Sequence, residues 1–161
     1  MSPRVAALGR REFLKLTGLG AGCLVLGWRP GDAGATAPLR FDLFLSLDAS
    51  GQVEIVAHRS EMGQGIRTAL PLVLADEMDA DFDRVRVVQA PADARYGDQN
   101  TDGSHSIRDF FEPMRKVGAT ARHMLVAAAA QAWGVPAEEC ETAPHSVLHR
   151  ASGRRLGYGE L

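Results

Sequence analysis

From residue 40 onward apolar and polar positions alternate, with Phe41, Leu43, Leu45 and Leu47 set against Arg40, Asp42 and Ser46. A period of two puts one set of side chains on one face of an extended chain, so residues 40–48 predict a half-buried strand. Asp48-Ala49-Ser50-Gly51 has the composition of a turn, and Gln52-Val53-Glu54-Ile55-Val56-Ala57 predicts a returning strand that closes a hairpin. From Arg67 the period lengthens. Leu70, Val73, Leu74 and Met78 fall on one helical face, with Pro71 early enough to be tolerated. Asp79, Asp81 and Asp83 read as a solvated acidic turn, Val85-Arg86-Val87-Val88 as a further strand, and residues 91–100 as a loop.

The longest pattern runs from Ser104 to Trp133. Ile107, Phe110, Phe111, Met114, Val117, Ala121, Met124, Leu125, Ala128 and Ala132 keep helical spacing and predict a long helix with one continuous buried stripe. Pro113 is expected to kink or divide it, because proline removes one helical hydrogen bond. Gly118, Ala119 and the alanines at 127–130 permit close approach of another backbone, and Gly134 followed by Pro136 ends the helix. Ser146–His149 and Arg155–Tyr158 then suggest a short, exposed hairpin. The order ββαβα followed by that hairpin defines an α+β class: a mostly antiparallel sheet with helices on one face.

Composition adds bounds rather than identity. The 161 residues suffice for one domain, and a net charge of −2 with no basic run beyond the N-terminus argues against nucleic acid. That N-terminus reads separately. Gly9-Arg10-Arg11-Glu12-Phe13-Leu14-Lys15 resembles the twin-arginine export motif, with Gly9 where Ser or Thr is usual. An apolar stretch at 16–27 and the small-x-small site Ala35-Thr36-Ala37 follow in signal-peptide order, so residues 1–37 are expected to be removed on export to the periplasm. Gly20, three before Cys23, does not suit lipid attachment. Cleavage after Ala37 would leave Cys140 as the sole cysteine and residues 38–161 as a mildly acidic domain.

The candidate chemistry is narrow. Among the five histidines only His145 and His149 stand four apart, and in a strand that spacing separates them by about 13 Å, which disfavours a metal site. No nucleophile elbow or phosphate-binding Gly-Lys loop is present. Two glycine-containing segments remain: Glu61-Met62-Gly63-Gln64-Gly65 and Thr101-Asp102-Gly103-Ser104-His105-Ser106, each leading into a helix. Flexible backbone at a helix N-terminus suits an anion, and the Gln64 amide suits a heteroaromatic ring or an oxo ligand. Ordinary turns and N-caps remain the simpler alternative for either segment alone.

Together with Thr68-Ala69-Leu70-Pro71, Ala90-Pro91-Ala92-Asp93, Gly118-Ala119, the run Ala127 to Val135 and Tyr158-Gly159-Glu160-Leu161, these segments resemble a known family. Phe41 to Leu161 is similar to the N-terminal part of the large, molybdenum-cofactor-binding (beta) chain of isoquinoline 1-oxidoreductase-type enzymes. These belong to the xanthine dehydrogenase and aldehyde oxidase superfamily. The resemblance implies a truncated molybdopterin-binding domain at 38–161. It places Gly63, Gln64 and Gly65 near the molybdenum–pterin centre and assigns Gly103, Ser104 and Ser106 to the pterin and diphosphate. It further implies a molybdopterin cytosine dinucleotide cofactor, and hydroxylation of an N-heterocycle or dehydrogenation of an aldehyde with water as oxygen donor. The implied partners are a small 2Fe–2S subunit, the remainder of the large subunit and a cytochrome c subunit.

The resemblance has two departures. Asp102 stands where the family usually has glycine, adding negative charge beside the diphosphate loop unless Arg95 or Arg108 compensates or Asp102 faces solvent. Family members are also several times longer, and their general base lies outside the matched part. The chain is therefore expected to be a split, truncated or partial subunit with no catalytic residue or metal ligand of its own. The alternative is a non-catalytic exported α+β domain for binding or assembly.

Overall fold

A computed structural model of the chain describes residues 38–161. The twin-arginine motif and cleavage site at 1–37 lie outside the described residues. Three strands open the fold: β1 (Leu39–Arg40), β2 (Leu45–Leu47) and β3 (Val53–Ala57). Helix α1 (Ile66–Glu77), strand β4 (Val85–Gln89) and the long helix α2 (His105–Trp133) follow. Strands β5 (Cys140–Ala143), β6 (Ser146–His149) and β7 (Arg154–Gly157) complete it.

Among the described residues the fold is α+β, with two sheets and two helices. The first sheet has the order β1-β2-β3-β4 and is antiparallel except where β3 meets β4. That parallel pair requires a crossover, and α1 supplies it as a βαβ unit. Register explains which face is buried. Leu45 pairs with Ile55 and Leu47 with Val53, while Val53 and Ile55 pair in turn with Val85 and Val87. Their side chains share one face, and Leu45, Leu47, Val53 and Ile55 join Leu70 and Leu74 of α1 and Met114, Ala121 and Leu125 of α2 in a single core. On the other face Arg86 and Glu54 pair across the strands.

Four expectations change. The alternating stretch 40–48 is not one strand. Leu39 pairs with Leu47, because Asp42 folds the chain back: its Oδ1 accepts the Phe44 N–H at 2.6 Å, and Leu45 O accepts the Phe41 N–H at 3.0 Å. Pro113 does not divide α2, which is continuous over 29 residues. Pro113 and Asp109, the residue whose carbonyl loses its helical partner, are both exposed, on the side of the helix where solvent can take up that bond.

The C-terminal segment is a three-stranded sheet in the order β5-β6-β7 rather than a hairpin. Nor is it exposed, since Val147 and Tyr158 are fully buried and Tyr158 Oη donates to Met78 O at 2.6 Å.

The close helix approach expected at Gly118 is present. A Cβ there would lie 2.4 Å from Leu74 O of α1. Around this seam Glu77 of α1 accepts from Arg115 Nε at 2.7 Å and pairs with Arg122 at 3.6 Å, both on α2. Gly134 ends α2 in the left-handed region (φ 67°), returning N–H bonds to Ala130 and Gln131. Among the described residues no helix is long and apolar enough to cross a membrane.

Candidate functional site

The two glycine segments, well separated in sequence, meet at the end of β3. Thr101 Oγ1 donates to Ser60 O at 2.7 Å, and Ser60 Oγ donates to Gln99 O at 3.1 Å. Gln99 Nε2 donates to His58 O at 3.3 Å and Pro91 O at 3.0 Å. The fold therefore places Gly63, Gln64 and Gly65 beside the turn that carries Gly103, Ser104 and Ser106.

The loops do not behave alike. In the first, Gly63 (φ 96°) and Gly65 (φ 86°) adopt left-handed backbone, which side chains beyond glycine disfavour. Their N–H groups converge on the chain's own Glu61. Glu61 Oε1 accepts from Gly63 N at 2.6 Å and Gly65 N at 3.0 Å, and Oε2 accepts from Arg67 N at 2.9 Å. These bonds, led by that to Arg67, hold the Glu61 carboxyl below its ordinary range. Gln64 also turns inward, accepting from Met62 N at 2.6 Å and donating to Ser60 O at 3.0 Å. The anion cradle read from this sequence exists, and Glu61 fills it. A carboxylate two, four and six residues before those amides was a signal available in the sequence.

Removing that carboxylate frees the cradle. In Glu61→Ala, the Gly63 and Gly65 amide resonances are expected to shift on titration with inorganic phosphate, whereas in the unaltered chain they stay put.

The second loop is open where the first is closed. Gly103 (φ 45°) and Ser104 (φ 63°) are successive left-handed residues, and Ser104 makes no side-chain cap on α2. His105 N donates to Asp102 O at 2.9 Å and Arg108 N to Ser104 O at 3.1 Å. The intervening Ser106 and Ile107 N–H groups have no protein acceptor, at the positive end of a 29-residue helix. Asp102 is exposed, while Arg95 pairs with Asp93 at 3.2 Å and Arg108 with Asp109 at 3.3 Å. Asp102 thus faces solvent without help from either arginine.

Ser106 itself is buried, and its Oγ accepts from Arg59 Nε at 3.0 Å. Its hydroxyl is engaged inside the protein. Arg59 and its neighbour His58 are the residues that sequence reading missed. Each is 1% exposed. Arg59 Nη1 donates to Asp98 O and lies 3.2 Å from Asp98 Oδ2, and its guanidinium sits 4.9 Å from the Phe110 ring centre. His58 packs between Phe44 (5.0 Å) and Phe110 (4.4 Å), and burial, with the Arg59 charge second, pushes it down to about 4.

Away from the loops, one cluster has the composition of a nucleophile triad. His149 lies 2.7 Å from Ser152 Oγ and 3.0 Å from Glu139 Oε2. Ser152 Oγ also accepts from Arg154 Nε at 2.8 Å, so it is pinned within its own hairpin turn. The cluster staples that turn to Glu139.

The α+β unit thus brings two glycine loops together at the end of β3 and the N-terminus of α2, one closed on its own carboxylate and one whose helix N–H groups have no protein acceptor. The chain belongs to the molybdopterin cofactor-binding domain family, matching it over residues 3–161. It is 40% identical to the beta chain of isoquinoline 1-oxidoreductase from Brevundimonas diminuta over 173 aligned residues, covering 99% of this chain and 22% of that protein.

It is also 33% identical to the membrane-bound aldehyde dehydrogenase [pyrroloquinoline-quinone] of Gluconacetobacter polyoxogenes, covering 97% of this chain and 21% of that one. Identity to a nicotinate dehydrogenase subunit of Pseudomonas putida is 30%, over 74% of this chain and 10% of that one. The chain thus spans about a fifth of the length of the first two relatives. Among solved structures, quinoline 2-oxidoreductase from Pseudomonas putida 86 shares the fold, with a TM-score of 0.57 and 14% identity over 72% of this chain and 15% of that one.

Proposed function

We propose that this chain is the N-terminal segment of a molybdenum hydroxylase large subunit, supplying two loops of the cofactor site and drawing the rest from residues beyond its length. The observation that carries the reading is the junction of the loops through Thr101 and Ser60, with one loop saturated by Glu61 and the other ending in an uncapped helix. The donor set fits the group. With the Gly63 and Gly65 amides taken by Glu61, the first turn offers the metal–pterin end the remaining hydrogen-bonding capacity of the Gln64 carboxamide, and the unbonded N–H groups at Ser106 and Ile107 suit the diphosphate of a cytosine dinucleotide form.

When bound, the cofactor supplies two-electron oxidation of an N-heterocycle or aldehyde carbon, with water as the oxygen source. This chain's part is to hold and orient it: Gly63, Gln64 and Gly65 at one end, Gly103, Ser104 and Ser106 at the other. Electrons leave through a separate 2Fe–2S subunit and a cytochrome c, and the twin-arginine sequence takes the assembly to the periplasm in folded form. The pyrroloquinoline quinone in one relative's name is a different cofactor, and metal analysis separates the two.

The 161-residue chain alone is expected to carry no stoichiometric molybdenum and to reduce no dye with substrate. Complemented with the remainder of the subunit, it should gain about one molybdenum per chain, and Gln64→Ala with Ser104→Ala should remove most of it. Full molybdenum in that double variant would refute the site.

A further inference from the structure

Among the described residues, only two buried side-chain polar atoms have no hydrogen-bond partner: Arg59 Nη2 and His58 Nε2. They sit on consecutive residues between β3 and the Glu61–Gly65 turn. A buried donor without an acceptor is costly and rare, so two together at this junction require an explanation. The cavity these residues line holds about 10 Å³ and is otherwise walled by Ile55, Ile66, Leu70 and Met114 among others. It has room for no ligand larger than water. Direct ligand binding by either atom is therefore not the reason for the pair.

The connections that Arg59 does make point elsewhere. Its fork reaches Asp98 on the loop leading to the second turn and Ser106 in the first turn of α2. Its own backbone adjoins Ser60, from which the first turn starts. One rigid, planar side chain thus ties both turns together from below, where a lysine, with a single nitrogen, would have to choose.

We propose that Arg59 is the positioning residue that sets the Gly63–Gly65 turn against the N-terminus of α2, and that it performs this task without adding to the stability of the fold. The relevance of that alignment to a ligand rests on the two-loop reading above. The alignment itself does not. Asp98 is 60% exposed, so losing its partner returns it to water at little cost. Removing Arg59 also removes a buried charge that is only partly paired, and such replacements by apolar side chains of similar length are often neutral.

The test is Arg59→Met in the full chain, followed by amide exchange and thermal unfolding. Exchange at Gly63, Gly65 and His105, the hydrogen-bonded amides of the two turns, should quicken roughly tenfold or more, while core amides in β3 and α2 and the melting temperature stay near those of the unaltered chain. Arg59→Lys should fall between. Should Arg59→Met not fold, Asp98→Asn serves instead. It lies at the surface, retains an oxygen for Asn100 N, and should quicken the same amides to a smaller degree. Unchanged exchange in the two turns overturns the proposal. So does quickening of core and turn amides together with a lower melting temperature, which marks an ordinary core residue. In the complemented protein, quickened turns with undiminished molybdenum would refute the two-loop site and leave the role of Arg59 standing. Quickened turns with loss of metal support both.

Discussion

Gly118→Ala is expected to destabilise the chain by ~2–3 kcal/mol or more, read as a lower urea midpoint at unchanged slope. Alanine is the better helix former by about 1 kcal/mol, so in an exposed helix the sign would be reversed. Here the added methyl would meet Leu74 O at 2.4 Å and Glu77 Cβ at 3.0 Å. The nearest atom is helix backbone and cannot rotate away. Only separation of α1 from α2 relieves the contact, which opens the core around Leu74 and Met114 and pulls Glu77 from Arg115 and Arg122. Stability equal to or above that of the unaltered chain would show that the helices are not held at this distance.

The second large effect is loss of stability in mild acid. His58 is held at about 4 against an ordinary 6.5, so the folded chain takes up its proton later than the unfolded chain does. Stability is then complete above about pH 6.5 and falls as pH drops toward 4, by about 3 kcal/mol in full.

His145 acts in the same direction, lowered first by burial. Its Nε2 donates to Gly51 O at 2.5 Å and its Nδ1 accepts from Asp81 N at 3.2 Å, so protonation sets one N–H against another. Asp42, raised by burial, works against this trend at lower pH. Urea midpoints measured from pH 7.5 to 4.5 should decline, and His58→Phe should flatten the decline while keeping the rings at Phe44 and Phe110 packed. A level profile in the unaltered chain would contradict the buried neutral imidazole.

The parts of this structure legible in the sequence were those with a local period. The α1 stripe, the α2 stripe from Met114 to Ala128, the Gly118 seam and the Gly134 stop all follow from spacing and backbone conformation, whereas Ile107, Phe111 and Ala132, expected in the same stripe, are exposed. Pairing partners are not local, so the parallel union of β3 with β4 had no signature. Cys140-Glu141-Thr142-Ala143 lacks the apolar alternation of a half-buried strand, and β5 went unread for that reason. At the site, glycines and their following helices marked both turns. What lies beneath them left no trace, because His58-Arg59 is an ordinary polar dipeptide until the fold closes over it. Glu61 read as any surface carboxylate, because its even spacing to the Gly63, Gly65 and Arg67 amides becomes a signal only once the loop is taken to curl back on it.

Two turns built to the same outline have come to differ in appetite. One carries its own negative charge and has none of its amide positions to spare, while the other has amides in hand and no charge of its own upon them. Phosphate would therefore find unbonded amides at one of the two turns and a carboxylate already in place at the other. On the two-loop proposal, an elongated ligand with one charged end would therefore be seated with that end toward the N-terminus of α2 and away from Glu61, in one direction only.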